Sequence, residues 1–287
     1  TVTGSDGQAS VQQAFKVIAT GKIYWTDRGR DKIQRADVDG SNIEDLVSRP
    51  TLMNPVDIAL DISGGKMYWV DEHTDKIQRS NLDGSNVEDL ITTGLDLPTG
   101  IALDHSAGKM YWTDRGTDKI QRADLDGSNI EDLITTGLAT PSGIALDTVG
   151  GKMYWVDDGT NKIQRANIEL VQGETTRTIE DLITTGLTTP VDLSLDHSAG
   201  KMYWTDRGTN KIQRANIELA QGETTRTIED LVSVTDPRGI ALDISGGKMY
   251  WVNNSADKIQ RSNLDGSSVE DLITTGLTTP VSIALDF

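Results

Sequence analysis

The sequence predicts an all-β fold, a six-bladed β-propeller of four-stranded antiparallel blades. Two observations carry this prediction. The dipeptide Tyr-Trp occurs six times, at spacings of 44, 43, 43, 49 and 47 residues, and these pairs contain every Tyr and Trp of the chain. Between them, short apolar runs end at Gly, Asp or Asn without a 3.6-residue periodicity, which indicates several short strands per unit and excludes a helical array.

Residues 99–137 contain the four strands of one blade in order. The apolar run at 100–104 is predicted to be the innermost strand, and the Tyr-Trp strand follows at 109–114. Residues 119–124 alternate polar and apolar side chains, as in a half-buried strand, and 130–135 form the outer strand. Four short antiparallel strands per repeat are typical of a propeller blade.

The two ends of the chain predict how the ring closes. The first Tyr-Trp unit has no innermost strand before it, whereas the chain finishes on such a segment at 280–286. We therefore expect this C-terminal strand to pair into the first blade, because closure removes unpaired sheet edges. The propeller is predicted over 21–287. Residues 1–20 fit no blade position and are predicted to be an N-terminal linker or an extra edge strand.

The fourth and fifth units carry longer hairpins, at 167–179 and 216–228. Each adds six residues at a single turn, where an insertion costs little. Because the hairpins lie on adjacent blades, their segments 169–177 and 218–226 are predicted to form one lobe available to a partner.

Charge and composition exclude several classes of function. The chain has 27 basic and 44 acidic residues, a net charge of −17, which disfavours nucleic acid as a partner. It has no apolar stretch of membrane-spanning length, so no membrane insertion is expected, and it lacks cysteine. Its three histidines, His73, His105 and His197, do not converge, and no catalytic constellation is visible. We predict a monomer that is not an enzyme.

The loops after the Tyr-Trp strands form a candidate polar ring at one mouth of the central channel. Blades one, three and five carry an arginine there, and blades two, four and six carry an acid or an amide. The arginines are Arg28, Arg115 and Arg207, and the alternating residues are Glu72, Asp158 and Asn254. Two interpretations are open: pairs between neighbouring blades, worth about 0–1 kcal/mol each, or a docking ring for a partner.

A second candidate set lies where each innermost strand meets the channel mouth. In chain order these residues are Asp57, Gly100, Gly143, Asp192, Gly239 and Ser282. Asp57 and Asp192 belong to opposite blades, and with Ser282 they are candidate ligand-binding residues. The two carboxylates are also weak candidates for holding calcium or another cation, although calcium takes about six or more oxygen ligands. No other cofactor is predicted.

The motif Tyr-Trp-Thr-Asp and its close variants mark all six units. It is complete at 24–27, 111–114 and 203–206, and it reads Tyr-Trp-Val-Asp at 68–71 and 154–157 and Tyr-Trp-Val-Asn at 250–253. With Leu-Asp upstream and Lys-Ile-x-Arg and Leu-Asp-Gly downstream, the chain resembles the YWTD-repeat propellers of the low-density lipoprotein receptor family. The resemblance implies a non-enzymatic, six-bladed, protein-binding domain with an extracellular or cell-surface location.

Three hypotheses for function remain open. The first is a non-catalytic interaction scaffold, a protein-binding module of a larger secreted or surface protein. The second is a metal-dependent propeller enzyme, lactonase- or lyase-like, with its site in the central channel, where the sequence offers only Asp57 and Asp192. The third is a purely structural or artificial repeat protein without a ligand, which the near-identical blades allow.

Overall fold

The computed structural model describes residues 21–287, which form six four-stranded antiparallel sheets arranged around a channel. The predicted all-β, six-bladed propeller is therefore confirmed. This part of the chain contains no helix, and hence none that could span a membrane. The linker or edge strand predicted for residues 1–20 lies outside the described residues.

Every blade uses its strands in the same order from the channel outwards. The innermost strands are β4 (Pro55–Asp61), β8 (Pro98–Asp104), β12 (Pro141–Asp147), β16 (Pro190–Asp196), β20 (Pro237–Asp243) and β24 (Pro280–Asp286). The second strands are β1 (Lys22–Asp27), β5 (Lys66–Asp71), β9 (Lys109–Asp114), β13 (Lys152–Asp157), β17 (Lys201–Asp206) and β21 (Lys248–Asn253). The third strands are β2 (Lys32–Asp37), β6 (Lys76–Asn81), β10 (Lys119–Asp124), β14 (Lys162–Asn167), β18 (Lys211–Asn216) and β22 (Lys258–Asn263). The outer strands are β3 (Glu44–Ser48), β7 (Glu88–Ile91), β11 (Glu131–Ile134), β15 (Glu180–Ile183), β19 (Glu229–Ser233) and β23 (Glu270–Ile273).

Blade one combines the two ends of the described chain, and blades two to six follow in order from β4. Strand β24 pairs antiparallel with β1, with Lys22 opposite Asp286 and Trp25 opposite Ile283. The predicted closure of the ring by the C-terminal strand is thus confirmed.

The Tyr-Trp pairs build the contacts between blades. Neighbouring residues of a strand point to opposite faces of the sheet, so one ring of each pair faces each neighbouring blade. Tyr24 of blade one packs in the same cluster as Trp69 of blade two, and Tyr250 of blade six packs with Trp25 of blade one. All twelve rings are at most 2% exposed. The aromatic residues are therefore committed to the fold, as their repetition predicted.

Each buried indole has a hydrogen-bond partner inside its own blade. In blade two, Trp69 Nε1 donates to Gln78 Oε1 at 3.0 Å, and Gln78 Nε2 donates to Asp89 Oδ1 at 2.6 Å. The other five blades repeat this pattern. Since an unpaired buried N–H costs about 1–3 kcal/mol, the glutamine keeps the tryptophan compatible with the core. The sequence pattern alone left this glutamine without a role.

The repeated aspartates form turns and link blades. Asp61, of the Leu-Asp sequence, accepts a hydrogen bond from the amide of Gly64 at 2.8 Å. Asp71, of the Tyr-Trp-Val-Asp sequence, accepts one from the amide of Met53 at 2.6 Å, in the segment that leads into β4. Both satisfy backbone donors that would otherwise be lost at turns. The Leu-Asp aspartate recurs in all six blades, and the second aspartate recurs in five, with Asn253 in its place in blade six.

The two long hairpins brace neighbouring blades. In most blades, the third-strand arginine donates to a backbone carbonyl of the next blade, as Arg35 does to Leu82 at 3.0 Å. In the blades that precede the long hairpins, Arg122 and Arg165 instead pair with Glu169 and Glu218 of those hairpins. The hairpins therefore contact the preceding blade, and the single lobe predicted for them stays a prediction.

Gly84 lies in a short hairpin that closely approaches the neighbouring blade. Its φ is +82°, and an added Cβ would lie 2.2 Å from the carbonyl oxygen of Leu46. We expect Gly84→Ala to destabilise the protein by about 2–4 kcal/mol, from backbone strain and overpacking together. Gly94→Ala is the matched control, because Gly94 has a φ of +78° with open space around it. Urea unfolding measures both variants, and equal losses would contradict the role of the contact.

Candidate functional site

The starts of the innermost strands and the loops after the second strands meet around a cavity of about 90 Å³, the mouth cavity. Six of the nine predicted site residues line it: Arg28, Asp57, Glu72, Arg115, Asp192 and Ser282. Thr99, Ser142 and Arg238 also line it. Arg207, Asp158 and Asn254 lie on the same face, outside the lining of the cavity. The structure therefore brings most of the two predicted sets into one place.

Asp57 connects three blades at the channel. One carboxyl oxygen accepts hydrogen bonds from the amide of Ile58 at 2.9 Å and from the hydroxyl of Ser282 in blade one at 2.5 Å. The other accepts a hydrogen bond from the amide of Ile101 in blade three at 2.7 Å. The side chain thus holds neighbouring innermost strands together while facing the cavity.

Asp192 makes the equivalent contacts on the opposite side of the ring, with one fewer. Its oxygens accept hydrogen bonds from the amides of Leu193 at 2.8 Å and of Ile240 in blade six at 2.9 Å. The residue that corresponds to Ser282 is here Gly143, which has no hydroxyl to donate. Asp192 therefore accepts one hydrogen bond fewer than Asp57.

These environments separate the two carboxyl groups in acidity. Both are only partly accessible from the cavity. Burial raises the pKa of Asp57 to about 6, against the lowering effect of the Ser282 hydroxyl and two backbone amides. Burial and, to a smaller extent, the negative charge of Asp57 together raise the pKa of Asp192 to about 8. The pair thus loses its two protons in separate steps and holds about one proton near neutral pH.

The cation predicted at this pair stays a prediction. All four carboxyl oxygens already accept hydrogen bonds. Within residues 21–287, no three His, Asp or Glu side chains come together in a way that could hold a metal ion. The arginines that line the same cavity also oppose a bound cation electrostatically.

The polar ring pairs arginines with acids of the following blade or its entry loop. Arg28 Nη2 lies 3.6 Å from Glu72 Oε2, Arg115 Nη2 lies 3.6 Å from Asp158 Oδ2, and Arg207 Nε lies 3.9 Å from Asp236 Oδ1. Asn254, the amide predicted beside Arg207, instead donates to the carbonyl of Pro280 at 2.9 Å. Arg207 is therefore paired with an acidic residue of the shortened loop before β20. The spacing of the repeat did not predict this pairing.

These ring pairs are loose. Separations of 3.6–3.9 Å exceed hydrogen-bond length, whereas Arg79 on the rim of the propeller reaches Glu88 at 2.7 Å. Among the described residues, no side-chain hydrogen bond is made by Arg28, Arg115 or Arg207. Their N–H groups are therefore available to donate hydrogen bonds to the oxygen atoms of a ligand.

Arg238 is a candidate site residue that sequence reasoning missed. It is the second residue of β20, and its Nε lies 3.0 Å from Asp236 Oδ1, although not in hydrogen-bond geometry. Burial lowers the pKa of this guanidinium, since its charge is poorly hydrated. A signal was present in the repeat: the equivalent residues of the other innermost strands are all uncharged, namely Val56, Thr99, Ser142, Val191 and Val281.

Unsatisfied polar atoms concentrate on this face. Among the described residues, seven buried side-chain atoms lack a hydrogen-bond partner. They belong to Asn54, Thr74, Thr117, Asp158, Thr209, Asp236 and Arg238. All seven residues lie in loops or strand starts at the channel-mouth face.

A closed ring of six Tyr-Trp blades with this interblade packing defines a YWTD-type propeller. The chain belongs to the low-density lipoprotein receptor class B repeat family, whose model matches residues 21–62, 65–105, 108–148 and 247–287. The predicted family resemblance is thereby confirmed. A comparison with curated protein sequences gives no significant match.

Solved structures with the same fold include both binding proteins and enzymes. The propeller of a nidogen/laminin complex superposes with a TM-score of 0.80 at 24% identity, covering 93% of this chain and 98% of that one. A streptogramin B lyase gives 0.66 at 18% identity, covering 91% and 83%. The periplasmic gluconolactonase of Pseudomonas aeruginosa gives 0.64 at 12% identity, covering 94% and 99%. At these identities the likeness establishes the fold alone.

Proposed function

We propose that this propeller is a non-catalytic protein-interaction module of a larger secreted or surface protein, and that it captures its partner at the channel-mouth face. The observation that carries the proposal is the set of ring arginines without short hydrogen bonds. Membership of the class B repeat family supports it, as does the similarity to the propeller of a nidogen/laminin complex.

The chemistry of the mouth favours an anionic group of the partner. Arg28, Arg115 and Arg238 line one cavity, and a guanidinium binds a carboxylate through two parallel hydrogen bonds. The cavity of about 90 Å³ accommodates a side chain, whereas pockets for small-molecule ligands measure about 300–1,000 Å³. We therefore infer that the partner is a protein that presents a loop with an acidic side chain to the mouth.

Binding is favoured over catalysis at this site. A lyase and a gluconolactonase share the fold, and raised carboxyl pKa values are often found in enzyme active sites. Here, however, Asp57 and Asp192 are held by backbone amides of their own and neighbouring blades, so a structural role accounts for both carboxyl groups. Among residues 21–287, no histidine lines the mouth cavity.

The triple variant Arg28→Ala/Arg115→Ala/Arg238→Ala tests this function. Twelve-residue loops displayed as a library are selected on the wild-type propeller, and we expect the binders to be rich in Asp and Glu. Their affinity for the triple variant should fall at least about 100-fold, because each lost hydrogen bond between charged groups is worth about 1.5–3 kcal/mol.

The matched control removes the same charge from the opposite face. In Lys66→Ala/Lys152→Ala/Lys248→Ala, three lysines at the starts of second strands are replaced, each of which binds an asparagine side chain. Binding of the selected loops should be unaffected. Loops that bind the two triple variants equally well would exclude the channel mouth as the capture site.

A further inference from the structure

The carboxyl pair Asp57 and Asp192 lies in the same cavity as the arginines to which the proposed function assigns binding. We propose that the mouth takes up a proton when it binds an anionic group, and that this proton resides on the Asp57–Asp192 pair. The inference rests on the proposed function and adds to it a control of affinity by pH.

Asp57 and Asp192 lie in one cavity, where burial makes even a single ionised carboxylate energetically unfavourable. The carboxyl groups come from opposite blades, line one cavity of about 90 Å³, and are partly shielded from water by the innermost strands. The repulsion between them is felt most at Asp192, which lacks the hydroxyl that Ser282 gives to Asp57. Like charges enclosed in this way do not both ionise readily, so the pair retains a proton at neutral pH.

The other charged groups around the pair determine whether protonation strengthens or weakens the binding of an anion. The charged side chains that share the cavity with the pair are Arg28, Glu72, Arg115 and Arg238. The innermost strands on either side of the two aspartates contribute only uncharged residues at the mouth, apart from Arg238. Arginines keep their charge throughout the pH range of a binding experiment. The proton content of the mouth therefore changes mainly at the pair.

An anionic ligand and the ionised pair compete for the same positive potential. When the pair is fully ionised, a ligand carboxylate enters against two negative charges. When the pair is protonated, the arginines act on the ligand with less opposition. Linkage is reciprocal: protonation strengthens binding, and binding draws a proton from solvent onto the pair.

Isothermal titration calorimetry tests this with a synthetic peptide of the tightest acidic loop selected from the library, and with its Asp→Asn or Glu→Gln counterpart. Titrations in two buffers of different ionisation enthalpy count the protons taken up. For the acidic peptide we expect Kd to weaken about 10-fold or more between pH 6 and pH 9, with an uptake of up to one proton near pH 8. The neutral peptide should show a markedly smaller pH dependence.

Two variants locate the proton. Asp192→Asn should bind the acidic peptide with little change in Kd between pH 6 and pH 9 and with proton uptake reduced or lost. Ser282→Ala, which keeps both carboxyl groups, should move the Asp57 part of the pH dependence to higher pH, because the serine hydroxyl lowers the pKa of Asp57. Circular dichroism confirms that both variants are folded.

Asp158 supplies the control, since burial raises its pKa as well and it lies beside Arg115. Asp158→Asn should leave the proton uptake unchanged. Uptake that is undiminished in folded Asp192→Asn, or that disappears in Asp158→Asn, would overturn the assignment to the pair. Binding of acidic loops without any proton uptake defeats this inference but not the proposed function, whereas failure to select acidic loops defeats the proposed function itself.

Discussion

Truncation of the chain after Thr279 is expected to abolish cooperative folding. The deletion removes β24, which pairs with β1 and carries Ile283, a residue 4% exposed in the cluster of Trp25 and Tyr250. Loss of such a buried side chain costs about 2–5 kcal/mol, and each lost ladder hydrogen bond costs about 0.5–1.5 kcal/mol more. Together these match the whole stability of a typical domain, about 5–15 kcal/mol.

Circular dichroism and tryptophan fluorescence during urea titration measure the effect, since Trp25 lies at the broken interface. A synthetic peptide of residues 280–287 added in trans should restore a folding transition in a concentration-dependent way. Deletion of Phe287 alone, a residue 55% exposed, should leave a cooperative transition in place. If the chain truncated after Thr279 unfolded at the same urea concentration as the intact protein, the ring would not depend on this strand.

The substitution Asp192→Asn is expected to stabilise the protein at pH 9 and to destabilise it at pH 5. Because the pKa of Asp192 is raised to about 8, the folded protein binds more protons than the unfolded chain between about pH 4 and pH 8. The free energy of unfolding of the wild type therefore falls as pH rises through this window. The asparagine variant does not titrate there. At pH 9 it should be more stable than the wild type by about 1–4 kcal/mol, an estimate that allows for one lost acceptor.

At pH 5 the same variant should be less stable, by about 1–2 kcal/mol. The wild-type carboxyl group is then protonated and still accepts hydrogen bonds from the amides of Leu193 and Ile240. An asparagine side chain has only one oxygen that can accept such hydrogen bonds. Urea unfolding at pH 5, 7 and 9 gives the comparison, with Asp286→Asn at the opposite end of an innermost strand as the control. Equal slopes of stability against pH in the wild type and Asp192→Asn would show that Asp192 is not the titrating group.

Features that recur in every blade could be predicted from the sequence. The fold, the closure by β24 and the burial of the Tyr-Trp pairs all follow from a pattern repeated six times. Side-chain geometry that depends on one irregular loop could not. The loop before β20 is shorter than its equivalents, so the partner of Arg207 is Asp236, and Asn254 bonds elsewhere.

The candidate site could be predicted from the sequence only in part. Asp57 and Asp192 stood out because acids replace glycine or serine at the mouth position of two innermost strands. Arg238 was missed because it precedes the mouth position by one residue, at a level where the other five innermost strands carry uncharged residues. Periodicity indicates which residues lie at one level of the ring, but burial and hydrogen bonding decide which of them keep their polar groups available.

The opposite placement of Asp57 and Asp192 sets a direction for anything that lies across the channel. A half-turn of the ring exchanges the two aspartates, so these residues alone would accept a bound segment in either of two orientations. The same half-turn brings Ser282 onto Gly143 and Arg238 onto Thr99. One hydroxyl and one guanidinium therefore make the two halves of the mouth different, although the propeller is built from near-copies of one blade.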